Sequence, residues 1–212
     1  MNRRGKLYFR YGTMGSAKTA LLLTTAYNFE ERGMEYLCMK PIIDTREKEN
    51  VIKSRIGIKR ECLWIYQDTD LYELVKNIYE ETLVVKDWIL IDEAQFLSDD
   101  EINTIKNICA SKNVTTLCFG LLTTFQFELF EGSKKLVECA DSLTKISMPC
   151  ENCNQNEAIC NFRMSSNNEL VVLDKNQYKS LCEDCYKKFI SYQINEDLVT
   201  NFLQFNSCLI SQ

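Results

Sequence analysis

Short apolar runs alternate along the first part of the chain with longer segments whose apolar residues recur every three or four positions. The short runs have the length of buried strands, and Pro41 closes the second of them. The predicted strands are Leu7–Tyr11, Tyr36–Lys40, Trp88–Ile91 and Val114–Gly120. The polar stretch from Asp44 to Lys59 shows no clear period, and we expect a mobile loop there.

The longer segments carry helix signals at their ends. The first runs from Ala20 to Arg32, and Gly33 stands where a C-terminal cap belongs. The second begins with Asp70 followed three residues later by Glu73, as in a capping box, and the third runs from Ser98 to Ser111. The inward faces of the second and third helices are predicted to consist of Leu71, Leu74, Val75, Ile78, Ile102, Ile105, Ile108 and Cys109.

Strands that alternate with helices in this way predict an α/β fold, in which a parallel sheet carries helices on both faces. We expect this domain to span residues 1–148. From Cys150 onward the spacing of cysteines replaces the hydrophobic pattern, which predicts a small metal-held domain at residues 149–190. Residues 191–212 are predicted to form a C-terminal tail.

Composition and charge exclude several classes of protein. Of 212 residues, 45% are hydrophobic, which is enough to bury a core. The net charge is −5, and no cluster of Lys and Arg alternates with aromatic residues, so a general nucleic-acid-binding protein is not expected. No apolar run has the roughly 18 residues of a membrane span, and the basic N-terminus lacks the apolar stretch of a signal peptide. We therefore expect a cytoplasmic protein with no membrane partner.

The segment from Gly12 to Thr19 differs from the phosphate-binding pattern G-x-x-x-x-G-K-[ST] only at Ala17. Backbone N–H groups of such a loop, and of the helix that follows, cradle phosphate oxygens. Lys18 is expected to reach the β- and γ-phosphates, and the Thr19 hydroxyl to bind Mg²⁺. The methyl group of Ala17 costs about 1 kcal/mol if the loop is left-handed there. For this motif alone, a chance turn between strand and helix is the alternative.

An acidic pair, Asp92 and Glu93, follows the apolar run Ile89-Leu90-Ile91 and resembles a Walker B strand. Open α/β sheets bind ligands at the carboxyl edge of their strands, which is where this pair would lie. One carboxylate can hold a metal ion while the other accepts a proton from an attacking hydroxyl. The chain has no histidine, so a general base has to be Asp, Glu, Lys, Tyr or Cys. Taken alone, the acidic pair also fits an ordinary helix-capping turn.

Four of the eleven cysteines form two matched pairs, Cys150-x-x-Cys153 and Cys182-x-x-Cys185. Four thiolates at this spacing suit tetrahedral Zn²⁺, and such a closed shell has no open catalytic position, so the predicted zinc is structural. An iron–sulfur cluster or a redox pair is the alternative. We interpret the remaining cysteines as small core residues or bystanders: Cys38, Cys62, Cys109, Cys118, Cys139, Cys160 and Cys208.

Together these motifs resemble the type II thymidine kinases, a cytosolic family with a Rossmann-like P-loop domain and a zinc-bound lasso domain. The resemblance runs from about Leu7 to Tyr186, and the motifs occur in the order that the family shows. Besides the phosphate loop, the matching segments are Lys40-Pro41-Ile42-Ile43-Asp44-Thr45-Arg46, Asp92-Glu93-Ala94-Gln95-Phe96, Gly120-Leu121 through Phe125, Glu128-Leu129-Phe130, and the two cysteine pairs with Tyr178 between them.

The resemblance implies roles for individual residues. Glu93 would be the general base for the nucleoside 5′-hydroxyl, and Lys18 and Arg46 would be the other catalytic residues. ATP would be bound by Gly12, Thr13, Met14, Gly15, Ser16, Ala17, Lys18, Thr19, Asp92, Glu93, Ala94 and Gln95. Mg²⁺ would be held by Thr19, Asp44 and Asp92. The nucleoside would be bound by Met14, Leu121, Phe125, Val172, Leu173, Asp174, Lys175 and Tyr178, with Phe125 stacked on the thymine ring.

Two places depart from the family pattern. Ala17 replaces a glycine of the phosphate loop, and Leu173 and Asp174 stand where the lasso usually has a Gly-Gly pair. If that turn needs positive φ, residues other than glycine are unfavourable there, and Asp174 would also bring a negative charge close to the base.

The expected reaction is transfer of the ATP γ-phosphate to the 5′-hydroxyl of thymidine, and also of deoxyuridine, for pyrimidine salvage. The expected cofactors are Mg²⁺, bound with ATP, and a structural Zn²⁺, and the resemblance implies a homotetramer. Two alternatives stay open because of the departures: a kinase for another nucleoside, and a nucleotide-binding protein of the same fold without turnover.

Overall fold

A computed structural model of the chain describes residues 4–42, 50–67, 69–82, 87–164 and 177–192. The chain divides into two compact units, Met1–Met148 and Pro149–Gln212. Most of the predicted tail at residues 191–212 lies outside the described residues, so its separation from the metal-held domain stays a prediction. Within the described ranges, no helix is both long and apolar enough to cross a membrane.

The first unit is built on a six-stranded sheet. Its strands are β1 (Leu7–Tyr11), β2 (Tyr36–Pro41), β5 (Leu63–Ile65), β6 (Trp88–Ile91), β7 (Thr115–Gly120) and β8 (Ser142–Lys145). They lie in the order β5-β2-β6-β7-β1-β8, and each neighbouring pair is parallel. The four strands predicted from apolar runs are all in this sheet, and the predicted parallel α/β fold is confirmed.

The helices are α1 (Lys18–Glu31), α2 (Leu71–Thr82), α3 (Asp99–Lys112) and α4 (Glu131–Cys139), with a 3₁₀ turn at Ala94–Phe96. The capping signals act as predicted. The Asp70 carboxylate accepts a hydrogen bond from the N–H of Glu73, and Ser98 forms a complete capping box with Glu101. Each cap satisfies N–H groups that have no partner within the helix, which defines where α2 and α3 begin.

Successive residues of each strand point to opposite faces of the sheet, and each face is covered by helices. Ile89 and Ile91 pack in one core with residues of α2, α3 and α4, whereas Leu90, between them, packs in the other core with α1. Because both faces are covered, the central strands are apolar throughout and do not alternate with polar residues. The prediction of helices on both faces is confirmed.

The loop predicted from Asp44 to Lys59 is wrong in its described part. Two short strands, β3 (Val51–Lys53) and β4 (Lys59–Glu61), pair antiparallel there, and Ile52 is buried in the core with α1. A strand of three residues is too short to show an alternating pattern, so only pairing reveals it. For the same reason the sequence did not predict the edge strand β5. The edge strand β8 was missed because all four of its residues are exposed, so it has no apolar run.

The second unit contains an antiparallel pair, β9 (Cys160–Arg163) and β10 (Tyr178–Leu181), followed by helix α5 at residues 183–192. Its buried core is small and consists of Cys150, Cys160, Phe162, Leu181, Cys182 and Cys185. Three of the four side chains predicted to bind metal, those of Cys150, Cys182 and Cys185, therefore supply half of this core. The fold of this unit and its metal site are built from the same residues.

Candidate functional site

The phosphate loop connects the carboxyl end of β1 to the start of α1. The Lys18 side chain is only 9% exposed, and its ammonium group donates hydrogen bonds to the carbonyl oxygens of Gly12 (3.1 Å) and Thr13 (2.7 Å). Ala17, immediately before the lysine, has φ 58° and ψ 23°, in the left-handed region. The loop therefore closes around the lysine, and it adopts at Ala17 the conformation that a glycine would adopt more readily.

Asp92 lies at the carboxyl end of β6 and is 4% exposed. Its carboxylate accepts a hydrogen bond from the Thr19 hydroxyl at 3.0 Å. Burial, and then the adjacent Glu93 carboxylate, raise the pKa of Asp92 above its ordinary value of 3.8, while the Thr19 hydrogen bond and the charge of Lys40 act in the opposite direction. A nearby cation would stabilise the ionised form, because it offsets both burial and the neighbouring negative charge.

The Thr19 and Asp92 oxygens fit an octahedral Mg²⁺ site. Mg²⁺ prefers oxygen ligands at about 2.0–2.1 Å, which places adjacent ligands about 2.9 Å apart. The observed separation between the Thr19 hydroxyl and the Asp92 carboxylate is 3.0 Å. This pair could therefore occupy two neighbouring positions around the ion without rearrangement.

Glu93 follows Asp92 and is half-buried, with its backbone also left-handed at φ 52° and ψ 36°. Its carboxylate accepts a hydrogen bond of 2.7 Å from the side-chain amide of Gln95, which lies in the 3₁₀ turn. The other end of the same amide accepts the backbone N–H of Leu121 at 3.0 Å. The acidic pair is therefore connected to the segment that follows β7.

The segment after β7 forms a compact turn at the same edge of the sheet. Thr123 and Leu129 form an antiparallel bridge, and the N–H of Thr124 donates to the carbonyl of Glu128 at 2.8 Å. Phe125, within this turn, is half-buried, as is Met14 of the phosphate loop. The turn holds an aromatic side chain beyond the end of β7.

Three segments that the sequence singled out thus follow adjacent strands, since β6, β7 and β1 are neighbours in the sheet. The phosphate loop follows β1, the acidic pair follows β6 and the Leu121–Phe125 segment follows β7. The N–H of Gly12 donates to the carbonyl of Gly120, which joins two of these strand ends directly. This is the edge at which open α/β sheets bind their ligands.

Several predicted site residues lie outside the described residues, namely Asp44, Arg46, Val172, Leu173, Asp174 and Lys175. Tyr178 is described and belongs to the second unit. It begins β10 opposite Arg163, whose guanidinium group lies 5.7 Å from the centre of the tyrosine ring.

The sulfur atoms of Cys150, Cys153, Cys182 and Cys185 all lie within 4.8 Å of one another. Tetrahedral zinc with Zn–S bonds of about 2.3 Å places its sulfur ligands about 3.8 Å apart, and the Sγ atoms of Cys153 and Cys182 are 3.8 Å apart. The Asn152 side-chain amide donates to the sulfur of Cys185 at 3.2 Å, an outer contact of the kind that orients a metal ligand. The four side chains therefore fit a tetrahedral metal ion.

Comparison with known proteins assigns the chain to a family. The model of the family described as thymidine kinase matches residues 5–186. The chain is 41% identical over 145 residues to a thymidine kinase of Zymomonas mobilis, which covers 68% of this chain and 74% of that protein. It is 35% identical over 199 residues to a thymidine kinase of Rhodopirellula baltica, covering 91% and 92% of the two chains. A thymidine kinase of Streptococcus gordonii is 39% identical over 150 residues, covering 71% and 76%.

The chain belongs to the thymidine kinase family. The resemblance inferred from the motifs is thereby confirmed, and the matched region includes the phosphate loop, the acidic pair and all four clustered cysteines. Kinases of this kind use ATP together with Mg²⁺.

The sequence did not identify the residues that hydrogen-bond to Glu93 and Leu121 and so hold them in position. Gly132 and Ser133 lie in the first turn of α4, and the Ser133 hydroxyl donates to the carbonyl of Leu121. Gln95 was predicted only as an ATP contact, whereas its side chain bridges Glu93 and Leu121. A Gly-Ser pair is a sequence signal for a close approach of two backbones, but it does not say which segment would approach.

Proposed function

We propose that this protein transfers the γ-phosphoryl group of ATP to the 5′-hydroxyl of thymidine, and also of deoxyuridine, in pyrimidine salvage. Membership of the thymidine kinase family supports the reaction. The structural observation that supports it best is the placement of a lysine-bearing phosphate loop and an acidic pair at the ends of nearby parallel strands, joined by the Thr19–Asp92 hydrogen bond. The family and the named relatives do not favour the alternatives of another nucleoside or of a protein without turnover.

Lys18 is proposed to bind the β- and γ-phosphates. Its ammonium group donates to three oxygen atoms of the loop, the carbonyls of Gly12 and Thr13 and the Ser16 hydroxyl. Exchange of these neutral acceptors for phosphate oxygens would give stronger, charge-assisted hydrogen bonds. Backbone N–H groups of residues 12–19, in the loop and the first turn of α1, would supply further donors.

Thr19 and Asp92 are proposed to hold the Mg²⁺ that accompanies ATP, with Asp44 as a further ligand. The ion would neutralise charge on the phosphates. Asp92 contributes a buried carboxylate and Thr19 a hydroxyl, and their present hydrogen bond keeps both oxygens in place. Arg46 is proposed to lie near the transferred phosphate.

Glu93 is proposed as the general base. Its carboxylate would take the proton of the 5′-hydroxyl as the oxygen attacks the γ-phosphorus, and the bond from that phosphorus to the bridging oxygen would break to release ADP. A carboxylate suits this role because the chain contains no histidine. Its left-handed backbone fits a site at which strain is retained for function.

The nucleoside is proposed to lie beside the Leu121–Phe125 segment, with Phe125 stacked on the base and Leu121 and Met14 lining the pocket. Main-chain groups of residues 172–175 would bind the edge of the base, and Tyr178 would contact the nucleoside. Of these residues, Leu173 and Asp174 depart from the family pattern, so they are where a change of selectivity would arise.

The metal of the second unit is proposed to be a structural Zn²⁺ bound by Cys150, Cys153, Cys182 and Cys185. All four positions of a tetrahedral ion would be occupied by thiolates, which leaves none for a substrate. A homotetramer is proposed from the family alone, and a cytoplasmic location from the need to keep these thiols reduced.

The test is an ADP-release assay with Mg-ATP and a panel of thymidine, deoxyuridine, deoxycytidine and purine deoxynucleosides. We expect ADP release with thymidine and deoxyuridine only, and phosphorylation of the nucleoside confirmed by mass spectrometry. Activity with a different nucleoside, or none with any, from folded protein that retains its metal, would overturn the proposal. A Glu93→Gln variant measures the background of ADP release that does not depend on the site.

A further inference from the structure

We propose that Gln95 is a positioning residue, which holds the Glu93 carboxylate in place and ties it to the segment that follows β7. The inference rests on the proposed function, because it takes Glu93 as the general base. The Gln95 side chain is thereby assigned to the carboxylate rather than to ATP. Its contacts, its burial and the shape of the backbone around it support this assignment.

Both ends of the Gln95 amide are engaged. The residue is 2% exposed, its Nε2 donates to Oε2 of Glu93 at 2.7 Å, and its Oε1 accepts from the N–H of Leu121 at 3.0 Å. Both distances are those of well-formed hydrogen bonds. A buried amide with partners at both ends is held in one rotamer, because releasing either bond leaves a polar atom unsatisfied.

The Leu121 contact determines which atom of the amide faces Glu93. A backbone N–H is a donor only, so the amide must present its oxygen to Leu121. The NH₂ group then points to Glu93, where it can donate to a carboxylate. The end of β7 therefore sets the direction of the hydrogen bond that the proposed base receives.

The 3₁₀ turn that carries Gln95 lies very close to the backbone at Gly120 and at Gly132, where a side chain would not fit. A Cβ atom added at Gly120 would lie 2.6 Å from Oε1 of Gln95, and one added at Gly132 would lie 2.8 Å from the carbonyl oxygen of Ala94. The buried Ser133 hydroxyl also donates to the carbonyl of Leu121. The partner of Gln95 is thus fixed by α4, and the 3₁₀ turn is packed from both sides.

A general base has to lie within hydrogen-bond reach, about 2.6–3.2 Å, of the oxygen that carries the proton it accepts, and a misplacement of about 1 Å can lower a rate roughly 100-fold. Glu93 is half-buried and its side chain has three rotatable bonds, and the hydrogen bond from the Gln95 amide restricts where its carboxylate lies. Loss of this contact is therefore expected to lower kcat while leaving ATP binding unchanged.

The experiment compares Gln95→Met and Gln95→Glu in the full-length, metal-loaded protein. Met has a similar length but makes neither hydrogen bond, and Glu in its ionised form keeps an oxygen for Leu121 but cannot donate to Glu93. We expect both variants to lower kcat by about 10- to 100-fold. The KM for thymidine should rise only in Gln95→Met, and the KM for ATP should stay within about twofold in both. Gln67→Met, at an exposed glutamine, is the matched control.

A double-mutant cycle separates positioning from a general loss of structure. In a Glu93→Gln background, measured with radiolabelled ATP, Gln95→Met should change the residual rate less than about twofold, because there is no base left to position. The same loss of kcat in both backgrounds, or a loss below threefold in the wild-type background, would overturn the role of Gln95. A wild-type protein without thymidine turnover would overturn the proposed function itself, which distinguishes the two failures.

Discussion

Two residues at the proposed site, Ala17 and Glu93, hold left-handed backbone conformations that favour glycine. Each costs roughly 1–2 kcal/mol relative to an ordinary helical conformation. Both lie at residues with a proposed role in the reaction: Ala17 precedes Lys18, and Glu93 is itself the proposed base. The hydrogen bonds of Lys18 to the phosphate loop help to maintain the conformation at Ala17, and the hydrogen bond from Gln95 helps to maintain that at Glu93.

Replacement of Ala17 by glycine tests the cost of the altered phosphate loop. Relief of about 1 kcal/mol of backbone strain is partly offset by the greater freedom of glycine in the unfolded chain, about 0.4–1 kcal/mol. We expect the Kd for ATP, measured by calorimetry, to improve or stay unchanged, and stability to change little. Ala20→Gly, in the first turn of α1, is the control and should cost about 0.5–1 kcal/mol. A large loss of ATP affinity in Ala17→Gly would show that the loop depends on alanine.

Glu93→Gln tests the proposed base directly. The substitution keeps the size of the side chain and removes the group that takes the proton, so kcat should fall by about 10²- to 10⁴-fold. The Kd values for ATP and thymidine should be nearly unchanged. The exposed Glu138→Gln serves as the control and should retain full activity. Loss of binding without a specific effect on the rate would contradict the assignment.

Among the elements, the edge of the sheet at β8 is attached to the core through Asp141. This residue precedes β8, and its carboxylate accepts hydrogen bonds from the N–H of Leu7 at 2.8 Å and from the ammonium of Lys106 at 2.9 Å. These contacts, the Leu7 hydrogen bond first, lower the pKa of Asp141 below its ordinary value of 3.8. One carboxylate therefore joins β1, α3 and the start of β8.

The lowered pKa of Asp141 predicts a specific pH dependence of stability. Since the folded state favours the ionised carboxylate, the contribution is present above pH 3.8 and is lost as the pH falls through the lower folded-state pKa. We expect Asp141→Asn to lower the free energy of unfolding in urea at pH 7, and the difference from wild type to shrink as the pH falls below 3.8 and through the folded-state pKa. Glu61→Gln, at an exposed residue, should show no such convergence. A constant difference at all pH values would mean that the charge of Asp141 is not involved.

At the scale of the whole molecule, the two units depend on different sources of stability. The first has two apolar cores, one on each face of its sheet. The second has a core of six buried residues, of which three are predicted metal ligands. The burial of six residues is not enough to stabilise a folded unit, so the folding of the second unit is expected to depend on the metal.

Removal of the metal should therefore affect the two units unequally. After treatment with a chelator, we expect proteolysis within residues 149–192 while residues 4–148 stay protected. The KM for thymidine should rise more than the KM for ATP, because residues proposed to bind the base lie in the second unit. Cys182→Ser should reproduce the effect, and Cys139→Ser, outside the cluster, should retain one equivalent of metal by mass spectrometry. Equal effects on both KM values would contradict this division of roles.

Much of the fold followed from local patterns. Apolar runs such as Trp88–Ile91 identified the central strands, and the Ser98 capping box identified the start of α3. The strands β3, β4 and β5 have only three residues each, so they carry no period that could be recognised, and the four residues of β8 are all exposed, so it has no apolar run. Their formation depends on the neighbouring strand that completes their hydrogen bonds.

By itself the sequence determined the chemical groups of this protein: the phosphate loop, the acidic pair and the cysteine pairs. These motifs are recognisable because their members are separated by a few residues, so that local backbone geometry brings them together. Tertiary structure decided how the groups are supported. Gln95 meets Leu121, 26 positions away, and Asp141 meets Leu7, 134 positions away. Such contacts depend on the order in which strands lie in the sheet, and a hydrophobic pattern states only that a strand is buried, not which strand is its neighbour.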